Sequence, residues 1–117
     1  MSQDCQDYGI GQLLDLVAML RDPRGGCPWD KEQTFVSTVP HTLEEAYEVA
    51  DAIEKNDMTL LKEELGDLLL QIVFYAQMAK EHRFFAFADV TASLIEKLVR
   101  RHPHVFGNMQ IRSAEEQ

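Results

Sequence analysis

The stretch LGDLLLQIVFYAQMA, residues 65–79, decides how the chain must be built. Apolar side chains recur on every side of a helix drawn through it, not along one stripe. Such a helix needs cover all round, and a chain of 117 residues has little else to cover it with. A partner subunit is the expected source of the missing cover. Gly66 inside the helix costs ~1 kcal/mol relative to Ala, so close helix packing is expected there as an offset. The helix is expected to start after a cap at Asp57 or Thr59 and to run to about His82. With Gly66, Asp67, Gln71 and Gln77 inside it, the apolar run is too short and too polar to span a bilayer.

That helix carries one polar stripe, Glu64, Asp67 and Gln71, at helical spacing. Upstream, Glu45 and Glu48 repeat the same three-residue step on another helix. This second helix is expected to begin near Pro40, a residue suited to a first turn, or slightly later if Thr42-x-x-Glu45 forms a capping box. Its expected apolar stripe is Leu43, Ala46, Val49, Ala50 and Ile53, and it ends around residues 54–56. If the two acid pairs meet, each like-charged contact at ~5 Å and an effective dielectric of ~20 costs about 3 kcal/mol. Such a cluster takes up protons or binds a cation. Oxygen-only ligands favour a hard ion such as Mg²⁺, with Mn²⁺ possible. Glu45, Glu48, Glu64 and Asp67 are therefore the candidate metal ligands.

Two plainer readings stand beside that one. Acids on a helix are commonly a solvated face, and that reading is preferred for Glu44, Asp51 and Glu54. Glu64 and Asp67 could instead pair with Lys97, Arg100 or Arg101. A di-iron carboxylate site would need Glu-x-x-His pairs, and none follows these acids.

The rest of the chain reads as helix and connection, so the expected fold is all-α, one domain with about four main helices. Leu13, Leu14, Val17 and Leu20 mark a first helix from Ile10 to about Arg21. Residues 22–28 are a breaker cluster, and residues 29–38 are irregular by pattern. Residues 84–88 form an aromatic connector. A last helix opens near Asp89 and stops before Pro103. Residues 1–9 and 107–117 are polar and expected to be loose. On the last helix Lys97 and Arg101 share a face; they either hold phosphate oxygens or form a solvated basic end. Trp29 either stacks on a base or anchors its loop.

A composition of 45% hydrophobic and 26% charged residues is that of a soluble globular protein. The net charge of -9 argues against nucleic-acid and membrane-surface partners, which call for clustered positive charge. It leaves a phosphorylated small molecule open, because a bridging metal reverses the local field. Cys5 and Cys27 form no C-x-x-C pair, and no signal peptide is visible, so a cytoplasmic location is expected.

Four ordered blocks carry a family resemblance. They are Gly26-Cys27-Pro28-Trp29-Asp30-x-x-Gln33-Thr34, Leu43-Glu44-Glu45-Ala46-Tyr47-Glu48-Val49, Glu63-Glu64-Leu65-Gly66-Asp67-Leu68-Leu69, and Lys97-Leu98-x-Arg100-Arg101-His102-Pro103-His104-Val105-Phe106-Gly107. Together they resemble the MazG family of nucleoside triphosphate pyrophosphohydrolases over roughly residues 10–107. Residues 33–35 and 73–79 look like the N-terminal domain of the two-domain branch. The resemblance implies Mg²⁺ held by Glu45, Glu48, Glu64 and Asp67, with Glu44 and Glu45 as catalytic positions and Glu44 a candidate to orient water. It implies triphosphate contacts from Lys97 and Arg101, with Trp29 a further substrate candidate. It implies a four-helix-bundle core completed by dimerisation, as a dimer or a dimer of dimers. The implied reaction cleaves a nucleoside triphosphate to a monophosphate and pyrophosphate. The alternative is a catalytically weak or silent N-terminal domain of this kind that acts mainly in oligomerisation.

Overall fold

The computed structural model describes residues 8–107. Cys5 and the expectations for residues 1–7 and 108–117 lie outside the described residues. Within them there are helices and no strands: α1 Ile10–Leu20, α2 Pro28–Lys31, α3 Phe35–Glu54, α4 Met58–Glu81, α5 Phe87–Arg101 and α6 Pro103–Phe106. The all-α expectation holds, and the four long helices are α1, α3, α4 and α5. None is long and apolar enough to cross a membrane. The chain divides into two compact units, residues 1–78 and 79–117.

In the first unit, α1 ends as expected, and the breaker cluster folds back on its last turn. The Gly26 N–H donates to the Asp22 carbonyl at 2.9 Å, and the Cys27 N–H to the Leu20 carbonyl at 2.9 Å. The first bond closes the turn, and the second satisfies a carbonyl that the helix end leaves open. A Cβ on Gly26 would collide with the Leu20 carbonyl oxygen and lie 2.7 Å from that of Asp22. Arg21 fastens the segment after the turn. Its guanidinium donates to the carbonyls of Asp30 (2.7 Å) and Gln33 (2.8 Å) and lies 5.6 Å from the centre of the Phe74 ring on α4.

The segment expected to be irregular holds α2 and the first turn of α3. The helix bearing Glu45 starts at Phe35, earlier than either expected start. Thr34 supplies the reason: its hydroxyl accepts from the Ser37 N–H at 3.1 Å, and the Ser37 hydroxyl accepts from the Thr34 N–H at 2.8 Å. Pro40 consequently falls inside the helix, where it forgoes one backbone bond without ending it. Thr42 is no cap. Its hydroxyl donates back to the Thr38 carbonyl at 3.2 Å.

α4 starts where Asp57 caps it, its carboxylate accepting from the Leu60 N–H at 3.0 Å. The expected burial on every side is not met by this chain alone. Val73, Phe74, Ala76, Met78 and Ala79 are buried, but Leu65, Leu69 and Ile72 are 48%, 36% and 43% exposed. The last three recur at i, i+4 and i+7, so one apolar stripe is left bare. Gly66 has open space where its side chain would be, with nothing within 4 Å of an added Cβ among the described residues. Gly66→Ala is therefore expected to stabilise the protein by about 1 kcal/mol, checked by urea unfolding. A loss of stability instead would mean that another chain lies against this face.

The second unit holds the end of α4, α5 and α6. The Asp89 carboxylate accepts from the Ala86 N–H at 2.9 Å, which fixes the start of α5 two residues before Asp89. Pro103 stops α5 as expected and opens the unforeseen short helix α6.

Candidate metal and substrate site

α3 and α4 run antiparallel, as their cross-contacts show. The Phe35 ring stacks on Tyr75 at 6.3 Å, and the Thr42 hydroxyl meets the Tyr75 hydroxyl at 2.5 Å and Gln71 Oε1 at 3.5 Å. Further along α3, and correspondingly earlier on α4, Glu45 meets Glu64 and Asp67. One carboxylate oxygen from each of the three lies within 4.8 Å of the others.

The face of α3 turned inward explains why Glu45 is there. Thr38 and Ala52 are buried, and Thr42, Glu45 and Val49 between them are half-buried. These positions recur every three or four residues and form one seam. The expected apolar stripe is a different face: Leu43 and Ile53 are 57% and 56% exposed, and only Val49 belongs to the seam. An acid is thus carried into the helix contact while leucine and isoleucine remain outside.

The site is electrostatically costly as it stands. Burial pushes the Glu45 carboxyl above its ordinary value, and the charges of Asp67, Glu44 and Glu48 push it the same way. Burial likewise raises Glu64, followed by the charges of Glu45, Glu48 and Asp67. A hydrogen bond between the two carboxyls raises Glu64 and lowers Glu45. Glu45 Oε2 is shielded from solvent and has no hydrogen-bond partner. A buried acceptor without a partner is expensive, and a cation would relieve it. The donors are all carboxylate oxygens, which fits Mg²⁺ or Mn²⁺ and not a soft metal.

The other residues singled out in the sequence lie elsewhere. Glu48 is exposed and stands outside the three-carboxylate group, although its charge reaches Glu45 and Glu64. Three residues of helix advance about 300°, which leaves Glu48 about 60° round the helix from Glu45. Glu44 and Glu63 are exposed. Trp29 on α2 is 75% exposed, so it does not anchor its loop within this chain. Lys97 and Arg101 are exposed on α5 in the second unit, where Lys97 lines a shallow pocket with Phe85 and Leu94. Sequence reasoning does not find the Thr42–Tyr75–Gln71 layer. Its only trace there is Gln71 in line with Asp67.

A larger cavity of about 570 Å³ lies along α1 and Leu69, lined by Tyr8, Ile10, Leu13 and Leu16 among others, and offers no carboxylate or cation. The three acids are not among its lining residues. Comparison with known proteins points to the stretch of chain that carries the acids. Residues 33–106 match the model of the MazG nucleotide pyrophosphohydrolase domain, a span that contains all three acids. The chain belongs to the MazG family. It is 55% identical to a nucleoside triphosphate pyrophosphohydrolase of Escherichia coli (strain K12), over 92% of this chain and 41% of that protein. It is 50% identical to a Thermotoga maritima nucleoside triphosphate pyrophosphohydrolase/pyrophosphatase MazG, over 83% of this chain and 38% of the relative. A Mycolicibacterium smegmatis nucleoside triphosphate pyrophosphohydrolase is 41% identical over 86% and 32%. This MazG domain therefore spans about two fifths or less of the length of these relatives.

The raised acids of the MazG domain set a pH dependence. Their folded-state values exceed the unfolded ones, so the native state holds extra protons. The stability this gives is complete below the unfolded value, about 4.5, and is lost as pH rises through the raised values. A cation needs the deprotonated form. The rise in melting temperature on adding Mg²⁺ is therefore expected to be small near pH 4.5 and to grow as pH increases, which melting curves at several pH values would show. A rise independent of pH would place the ion elsewhere.

Proposed function

We propose that the chain hydrolyses nucleoside triphosphates, ribo- or deoxyribo-, to a monophosphate and pyrophosphate in a Mg²⁺-dependent reaction. The observation that carries this reading is the meeting of Glu45, Glu64 and Asp67, with Glu45 Oε2 shielded and unpartnered. Family membership supports the same reading, as do the names of the relatives. In this reading Glu45, Glu64 and Asp67 hold the metal. Glu48, which already acts on two of them through its charge, completes the set. The bound ion would neutralise phosphate charge and lower the pKa of water.

The protein's own residues supply the rest. In this reading the phosphate chain would meet the carboxylates at the α3–α4 contact, with the buried seam beneath limiting bulk water on one side of it. Glu44, one residue from Glu45 and exposed, is proposed to orient the attacking water toward the α-phosphorus. Lys97 and Arg101 are assigned to phosphate oxygens by the family resemblance alone, and Trp29, exposed on α2, remains a candidate stacking surface. A homo-oligomer is proposed as the working form, supported by the bare stripe of Leu65, Leu69 and Ile72. That stripe also favours a second reading, a catalytically silent domain that serves assembly.

One assay separates the two. Incubated with mixed NTPs and dNTPs plus Mg²⁺, the folded protein is expected to release pyrophosphate and monophosphate in equal amounts. No pyrophosphate above background would leave only the assembly role.

A further inference from the structure

One turn from the carboxylates, α3 and α4 are tied by a polar layer that the metal site itself leaves unused. The Tyr75 and Thr42 hydroxyls meet at 2.5 Å. A hydroxyl has one hydrogen. That of Thr42 is directed along its own helix to the Thr38 carbonyl at 3.2 Å, with Gln71 Oε1 further off at 3.5 Å. Tyr75 is therefore the donor, and Thr42 Oγ1 accepts across the helix contact. The Tyr75 ring is held in its turn. It lies nearly parallel to Phe35, 7° between planes, and rises from the sealed stretch Val73–Ala79 of α4. Thr42, Gln71 and Tyr75 are half-buried, which shelters the bond from competing water.

The place of this layer gives it a task. Thr42 precedes Glu45 by three residues on α3, and Gln71 follows Asp67 by four on α4. Because the helices are antiparallel, both steps lead the same way, and the layer stands ~5 Å along the axes from the acids. The layer and the acids belong to one compact unit. At the acids the two helices present like charges to each other, Glu45 against Glu64 and Asp67, and that repulsion acts to part them. A tie one turn away opposes the parting. The carboxylate oxygens of the three acids lie within 4.8 Å of one another. Twice a metal–oxygen bond of ~2.1 Å for Mg²⁺ or ~2.4 Å for Ca²⁺ puts opposite ligands about 4.2 or 4.8 Å apart. Any widening of the contact therefore takes the acids further from what the small ion needs, while the larger and more adaptable ion tolerates it.

We infer that Tyr75 and Thr42 are positioning residues whose hydrogen bond holds α3 against α4 beside the acids and so favours the smaller divalent ion there. Neither residue touches the ion. The inference rests on the metal site of the proposed function and adds how the protein chooses among ions.

The test measures metal binding, so that it does not depend on catalysis. The full chain is titrated calorimetrically with Mg²⁺ and, separately, with Ca²⁺. Tyr75→Phe keeps the ring and its stacking and removes only the hydroxyl. Thr42→Val keeps the shape and removes the acceptor. Each is expected to weaken Mg²⁺ about fivefold or more and Ca²⁺ by less than about twofold, so that the ratio of the two affinities falls. Thr42→Ser, which retains the hydroxyl, is expected to stay near the parent. The double variant is expected to lose no more than either single one, because both changes break one bond. Cooperative melting without metal shows that each variant folds, and Tyr75→Phe alone decides the matter if Thr42→Val does not. A bond with a merely structural role would lower the metal-free melting temperature and leave the Mg²⁺-to-Ca²⁺ ratio unchanged, which would overturn the inference. So would losses that add in the double variant. A parent that binds neither ion would remove the metal site and the inference with it. If the ions behave as expected but no nucleotide releases pyrophosphate, the proposed reaction falls and the positioning role stands.

Discussion

Asp67→Asn is expected to abolish the stabilisation that Mg²⁺ gives and to cut pyrophosphate release about a hundredfold or more. The same substitution is expected to make the metal-free protein slightly more stable. Asp67 adds to the repulsion that raises Glu45 and Glu64, and its side chain is exposed. Removing one such charge relieves part of that repulsion, weakened by solvent screening. An ion at about a hundred times its dissociation constant adds about 2.7 kcal/mol. For a domain of this size that is roughly 10 °C or more of melting temperature. Melting curves with and without Mg²⁺ on parent and variant give both numbers. The sign decides between readings. If the acids served as partners for basic side chains, Asp67→Asn would lower the metal-free melting temperature and leave the Mg²⁺ response in place.

Gly26→Ala is expected to be the most damaging change away from the acids. The added methyl would press on two backbone oxygens, those of Leu20 and Asp22, and neither can swing aside as a side chain would. The turn would have to open and give up the Cys27 N–H bond to the Leu20 carbonyl. A cost of about 2–3 kcal/mol is expected from overpacking of this kind, or roughly 10–20 °C in melting temperature. Gly25→Ala is the control, because open space surrounds that position. The two variants melting alike would show that the turn is not constrained as described. The damage would reach the next segment as well, since Arg21 ties Asp30 and Gln33 to the end of α1 through the same turn.

The sequence makes some of this legible and hides the rest for physical reasons. The all-α class, both ends of α1 and the cap at Asp57 come from local signals, periodicity and a side chain that satisfies a helix end. The start of α3 is hidden because two cap signals compete in one stretch. Thr42-x-x-Glu45 is the stronger by pattern, yet Thr34 and Ser37 close a reciprocal pair, and Pro40 can sit inside the second turn. The meeting of Glu45, Glu64 and Asp67 is legible as spacing on two helices. The exclusion of Glu48 from their immediate group is not, because a three-residue step defines a face only to about 60°. Periodicity also marks Leu43 and Ile53 as core. It detects apolar faces without saying whether the same chain covers them, and here the covered seam is the one with threonines and a glutamate.

The distribution of buried side chains along α4 has a dynamic consequence. Its sealed portion runs from Val73 to Ala79, while Glu64, Gly66 and Asp67 stand toward the solvated end. Breathing of the helix should begin at that wet end, where few apolar contacts resist it. A cation bridging α3 to α4 there would act as a clasp on the loosest turns, so that loading the ion and quieting the backbone become a single event.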